Sequence, residues 1–107
     1  MLLRIEKNYS GRKIKCSNNC VVLSGSNTFA GSCCDQHTIL KNLVQSLNIP
    51  IEHASQMLSG NPARIAKLDH VGSIEVGKRA DLIFLDEKLE LQTVFIAGKV
   101  SWSNAQL

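Results

Sequence analysis

The sequence predicts an α+β fold with strands toward both ends and helices between them. Three observations predict it. Apolar and polar residues alternate from Arg12 to Leu23, apolar residues recur at helical spacing from Ile39 to Leu58, and dense apolar runs return at Leu82–Leu85 and Leu91–Trp102. At 107 residues the chain suffices for one small domain. A (β/α)8 barrel, which needs about 250 residues, exceeds it.

Met1 to Gly11 is polar and without period, which reads as a loosely held lead-in with no core role. The alternation that follows breaks at Ser17-Asn18-Asn19, where asparagine tolerates the positive φ of a tight turn, so Arg12–Leu23 reads as a β-hairpin. Ser24-Gly25-Ser26-Asn27 is a connector of turn formers. A helix is then expected with Ile39, Leu40, Leu43, Val44 and Leu47 on one face and Ser32 and Asp35 in capping-box relation at its start. Pro50 suits the first turn of a second helix with Ile51, Ala54, Met57 and Leu58 on its apolar face, and Gly60 suits a left-handed stop. Asn61 and Pro62 would cap and open a short third helix turning Ile65, Ala66 and Leu68 inward. After turns at Gly72 and Gly77, Leu82–Leu85 reads as a strand buried on both faces. Leu91–Trp102 reads as a hairpin turning at Ala97-Gly98, where alanine meets a steric cost at positive φ.

Composition narrows the function classes. Apolar residues make up 44 % and charged residues 20 %, ordinary for a globular chain. Its aromatics are only Trp102, Tyr9, Phe29, Phe84 and Phe95, and a domain this small hides only about two-thirds of its surface, so its own core should be thin. The net charge of +3 is modest, and the clusters Arg12-Lys13-Ile14-Lys15 and Lys78-Arg79 lack interleaved aromatics, which argues against a nucleic-acid partner. No apolar run reaches the ~18 residues of a membrane span, and the apolar run within Met1–Lys7 is too short for a signal peptide, so a cytoplasmic chain without membrane contact is expected. Four cysteines there read as reduced thiols. Cys16-x3-Cys20 and Cys33-Cys34-x2-His37 lack the C-x2-C spacing of a zinc knuckle, and small apolar packing is the simpler account.

Two stretches carry a resemblance. Ser59-Gly60-Asn61-Pro62-Ala63-Arg64, leading into Val71-Gly72-Ser73-Ile74-Glu75-Val76-Gly77-Lys78-Arg79-Ala80-Asp81-Leu82-Ile83-Phe84-Leu85-Asp86, is similar to the C-terminal end of metal-dependent amidohydrolases. Thr28-Phe29-Ala30-Gly31-Ser32 with Leu40-Lys41-Asn42-Leu43-Val44 resembles one branch of them, the N-acetylglucosamine-6-phosphate deacetylases. The resemblance covers roughly Lys13 to Val100. It implies a C-terminal piece of such an enzyme: a lead-in over 1–11, the end of a barrel domain over 12–70 and strands of the small β-sandwich over 71–107.

The same resemblance implies a reaction, hydrolysis of the acetamide of N-acetylglucosamine 6-phosphate in amino-sugar catabolism, run by one or two divalent metals and an aspartate. No His-x-His pair and no acidic residue in the family's catalytic setting is found here, and His37, His53 and His70 lie on separate expected elements. No catalytic residue and no metal ligand is therefore assigned to this chain, and the divalent metal belongs to the complete enzyme. Phe29, Ala30 and Gly31 fall on the family's sugar-contacting positions, just ahead of the expected first helix, and are the substrate-binding residues the resemblance implies. A helix N-terminus with a glycine suits that role through free N–H groups and close approach, although Gly-Ser before a helix is by itself only a cap. Relatives commonly carry Leu-Thr-Met after this Gly-Ser; here Cys34-Asp35-Gln36 adds a carboxylate that disfavours an anionic sugar. Gly72, Gly77, Lys78, Asp81 and Asp86 match the superfamily signature in a structural role, with Asp81 expected to bond local backbone N–H groups.

The expectation is a deacetylase-like chain inactive alone, whose partners are an amino-sugar phosphate once a barrel completes it and either further copies of itself or the missing N-terminal part. A non-catalytic subunit docking onto a separate barrel is the alternative. A third reading keeps the superfamily and changes the substrate, to another cyclic amide or a deaminase substrate.

Overall fold

Ser10 and Gly11 both adopt positive φ, 49° and 77°, and fold the chain back between two strands as a tight hairpin turn does. The computed structural model describes residues 5–17 and 20–104, and the chain divides into two compact units, Met1–Asp35 and Gln36–Leu107.

The first unit is a four-stranded antiparallel sheet in chain order: β1 (Ile5–Tyr9), β2 (Arg12–Ser17), β3 (Cys20–Leu23) and β4 (Phe29–Ser32). The Arg12–Leu23 hairpin lies where the alternation put it, with Ser17 opposite Cys20; the expected turn residues Asn18 and Asn19 lie outside the described residues. β1 is a strand in what reads from sequence as a loose lead-in. Its Lys7, Asn8 and Tyr9 are exposed, so backbone pairing to β2 makes the strand, and pairing leaves no hydrophobic period in the sequence. A Cys16–Cys33 disulfide corrects the expectation of four reduced thiols; Cys20 and Cys34 are free.

The second unit opens with α1 (Gln36–Lys41), which passes into a wider π-helical turn at Asn42–Ser46 and stops at Asn48, φ 54°. α2 (Ile51–Ser55) follows Pro50 and continues through a π-helical segment (Gln56–Gly60) into α3 (Asn61–Ile65). Gly60 is helical, φ −63° and ψ −49°, and so is Asn61, which corrects the expected stop and cap. The helix ends instead at Lys67, φ 56°, with the Leu68 N–H donating to the Ala63 carbonyl at 2.9 Å.

Ala54 and Ala63 are buried; Ile65, Ala66 and Leu68 point outward, contrary to expectation. In the first helix Leu40 is buried, Leu43 and Val44 are half-buried, and Leu47 is exposed. The buried apolar residues among those described are Leu40, Ala54, Ala63 and Leu89, a thin core as composition suggested.

The unit closes with an antiparallel sheet β5 (Leu82–Leu85), β6 (Leu91–Ile96) and β7 (Lys99–Ser103). β5 is not buried on both faces, for Ile83 and Phe84 are 54 % and 53 % exposed. A strand this apolar is composed for two covered faces, whereas β5 is an edge strand of this sheet, paired with β6 alone among the described strands. Ala97 and Gly98, φ 50° and 77°, make the last turn. The Asp81 carboxylate accepts the Ala97 N–H at 2.8 Å and the Ala80 carbonyl accepts that of Gly98 at 2.9 Å, which offsets the cost of a left-handed alanine. No helix among the described residues is long and apolar enough to cross a membrane.

Candidate functional site

Phe29, Ala30 and Gly31 lie on β4, an edge strand, and not on a loop at a helix start. Three residues, Cys33 to Asp35, separate that strand from α1, so the expected direct entry into a helix is corrected. Ser32 Oγ accepts the Cys34 N–H at 3.1 Å, a local turn just after the strand. All four β4 residues are exposed, Phe29 at 76 %. Gly31 has φ 148°, and its pairing with Val21 adjoins a register shift between Val21 and Val22. The strand thus offers an aromatic ring, a glycine backbone and an outer edge not covered by another strand of its sheet.

In the second unit the signature residues build a scaffold. Gly72, φ 92°, passes so close to α3 that a Cβ there would sit 2.6 Å from Ala63 Cβ. Ser73 Oγ donates to Glu75 at 2.6 Å and accepts from Lys78 Nζ at 2.6 Å, and these two neighbours hold the Glu75 carboxyl below the usual carboxylate range. Asp81 meets Arg79 Nε at 3.0 Å and accepts the Ala97 N–H of the turn sixteen residues further on, where a local backbone contact was expected. Asp86 accepts the N–H groups of Lys88 and Glu90, both at 2.9 Å, closing a loop in which Leu89 is buried at φ 62°. These contacts agree with a structural role for the signature.

That loop is clamped by one stripe of the first helix, which sequence reasoning missed. His37 Nε2 lies 2.6 Å from the Leu89 carbonyl, Lys41 pairs with Glu90, and Gln45 Nε2 donates to the Lys88 carbonyl at 3.1 Å. The signal was present as polar residues at i, i+4 and i+8, but nothing local named the partner.

Among the described residues no three His, Cys, Asp or Glu side chains converge as a metal site would require. His37 is occupied by a carbonyl, His53 is on α2 and His70 is in a loop, while Cys16 and Cys33 are joined to each other. These residues do not fit the family's divalent metal. The second unit holds an apolar groove of about 540 Å³, walled by Leu40, Ile51, Leu58, Val71, Leu82 and Leu91, with Arg79 and Asp81 among its few charged groups.

Residues 15–101 match the family model described as the amidohydrolase family. The chain is 32 % identical over 78 residues to the N-acetylglucosamine-6-phosphate deacetylase of Caenorhabditis elegans, a stretch covering 72 % of this chain and 19 % of that enzyme. It is 34 % identical over 82 residues to the N-acetylgalactosamine-6-phosphate deacetylase of Escherichia coli O157:H7, covering 76 % and 22 %. The crystal structure of the Thermotoga maritima N-acetylglucosamine-6-phosphate deacetylase superposes with a TM-score of 0.82 at 26 % identity, over 94 % of this chain and 28 % of that one. The chain thus spans about a fifth of the length of these curated relatives.

Proposed function

Given that the chain belongs to the amidohydrolase family, we propose that it is a portion of a hexosamine-6-phosphate deacetylase, contributing a sugar contact to amide hydrolysis that it does not perform alone. The reaction would add water to the acetamide of N-acetylglucosamine 6-phosphate and break its C–N bond, giving acetate and glucosamine 6-phosphate. The activated water and the acid–base group would come from polypeptide outside this chain. The observation that carries the reading is the exposed edge strand at Phe29, Ala30 and Gly31. An uncovered strand edge offers N–H and C=O groups to sugar hydroxyls, and a glycine lets the sugar reach the backbone. Because one relative acts on the galactosamine epimer, the configuration at C4 is the open choice, and N-acetylglucosamine is the sugar we assign.

A second reading, a non-catalytic subunit seated on a separate barrel, is favoured by one observation. The groove of the second unit is apolar, and its lining residue Ile74 stands largely exposed with Val76 on one hydrogen-bonded loop. Both readings assign the same sugar contact.

One experiment tests the first. The purified chain, supplied with zinc, iron or manganese, should release no acetate from N-acetylglucosamine 6-phosphate, and co-expression with the barrel segment of a relative should restore release. In that assembly Gly31→Val should weaken sugar binding, since a β-branched side chain obstructs the backbone. Chelator-sensitive acetate release by the chain alone would overturn the inactivity. Unchanged binding by an assembled Gly31→Val chain would overturn the contact.

A further inference from the structure

We propose that Cys16 and Cys33 form a reversible dithiol–disulfide couple that sets the order of the Phe29–Ser32 strand. Cys16 lies near the end of β2, and Cys33 follows the last residue of β4; between those strands runs β3. The bridge therefore reaches past one strand to tie down the next. β4 makes three register pairs with β3, across a shift between Val21 and Val22, and its four residues are all exposed. Among the described residues of the first unit no apolar side chain is fully buried, and Ile14, Val21, Val22 and Leu23 are half-buried.

The bridge is also reachable. Cys33 is exposed and Cys16 half-exposed, and exposed disulfides are the labile ones in exchange. The reductant is glutathione and the oxidant is its disulfide. A glutathione thiolate attacks Cys33 Sγ, the Cys16–Cys33 bond breaks, and Cys16 leaves as a thiolate that takes a proton. A second glutathione thiolate attacks the glutathione sulfur of the mixed disulfide and displaces Cys33, which also ends protonated. Two electrons and two protons pass to the chain and two glutathiones become one glutathione disulfide, whose pool drives the reverse.

Reduction should free β4 while leaving β2 in place, because β2 is paired on both sides. Closing a loop of sequence separation 17 restricts the open chain enough to change its population on the order of a hundred-fold. That β4 carries the sugar contact rests on the function proposed above; the couple itself does not, and its test reads backbone exchange without any sugar.

The test is amide hydrogen exchange on the whole chain, oxidised and then treated with millimolar glutathione, with thiols counted in parallel. Titratable thiols should rise from two to four, and amides of residues 29–32 should exchange on the order of a hundred-fold faster. Those of β1, β2 and β6 should keep their rates, and glutathione disulfide should restore the first state. A Cys33→Ser chain should exchange at the reduced rate and ignore reductant. A bridge that millimolar glutathione leaves intact would overturn the proposal. So would equal β4 exchange in both states, or loss of protection across all of β1 to β4, which would make the bridge a structural staple.

Discussion

Replacing Gly72 with alanine should destabilise the second unit by about 2–4 kcal/mol. A Cβ at this position would lie 2.6 Å from Ala63 Cβ and 3.3 Å from the Ser59 carbonyl oxygen. Ala63 is buried and fixed in a helix, so relief requires the helix to move, and overpacking of this kind costs about 1–3 kcal/mol. The backbone at φ 92° adds about 1–2 kcal/mol for any residue with a Cβ. A less flexible unfolded chain returns roughly 0.4–1 kcal/mol. Gly77 supplies the control, since its φ of 90° is nearly the same and nothing lies within 4 Å of its Cβ position. Gly77→Ala should therefore cost only about 1 kcal/mol, the conformational part. The assay is thermal unfolding followed by the fluorescence of Trp102, the one tryptophan of the chain, which sits on β7 of the same unit. At about 4–8 °C per kcal/mol, Gly72→Ala should melt well below Gly77→Ala. Ala63→Gly added to Gly72→Ala should recover part of the loss. Equal melting of the two alanine variants would refute the close approach of this loop to the helix.

Two further outcomes follow from local geometry. Ala97→Asn should raise stability by about 0.5–1 kcal/mol, because asparagine tolerates the φ of 50° at that turn and keeps the N–H that Asp81 accepts; a lower unfolding midpoint would show that the turn is not left-handed in solution. Glu75 should titrate below its ordinary value of 4.5, held down first by the Ser73 hydroxyl and then by Lys78. A carboxyl depressed on folding contributes stability that is complete above the unfolded value and lost as pH falls through the folded one, so its loop should loosen only under acid. Carboxyl chemical shifts against pH test this, and a midpoint unmoved by Lys78→Met would count against the network.

Neighbouring residues alone determined much of this protein. The alternation of Arg12–Leu23, the apolar spacing of Ile39–Leu58 and the density of Leu82–Leu85 were enough for an α+β chain, because strand and helix periods are local properties. The signature around Gly72 to Asp86 and the segment Thr28–Ser32 were enough for the family, which the match over residues 15–101 supports. β1 escaped notice because a strand held by backbone pairing needs no hydrophobic pattern. Gly60 misled because a glycine permits a left-handed stop without requiring one, and Lys67 took that conformation instead. Only the tertiary structure decided that Asp81 holds a turn sixteen residues away, that His37, Lys41 and Gln45 grip one loop, and that Cys16 meets Cys33. Each of these joins residues distant in sequence, and their meeting depends on how sheets and helices return the chain upon itself, which no local window of sequence encodes.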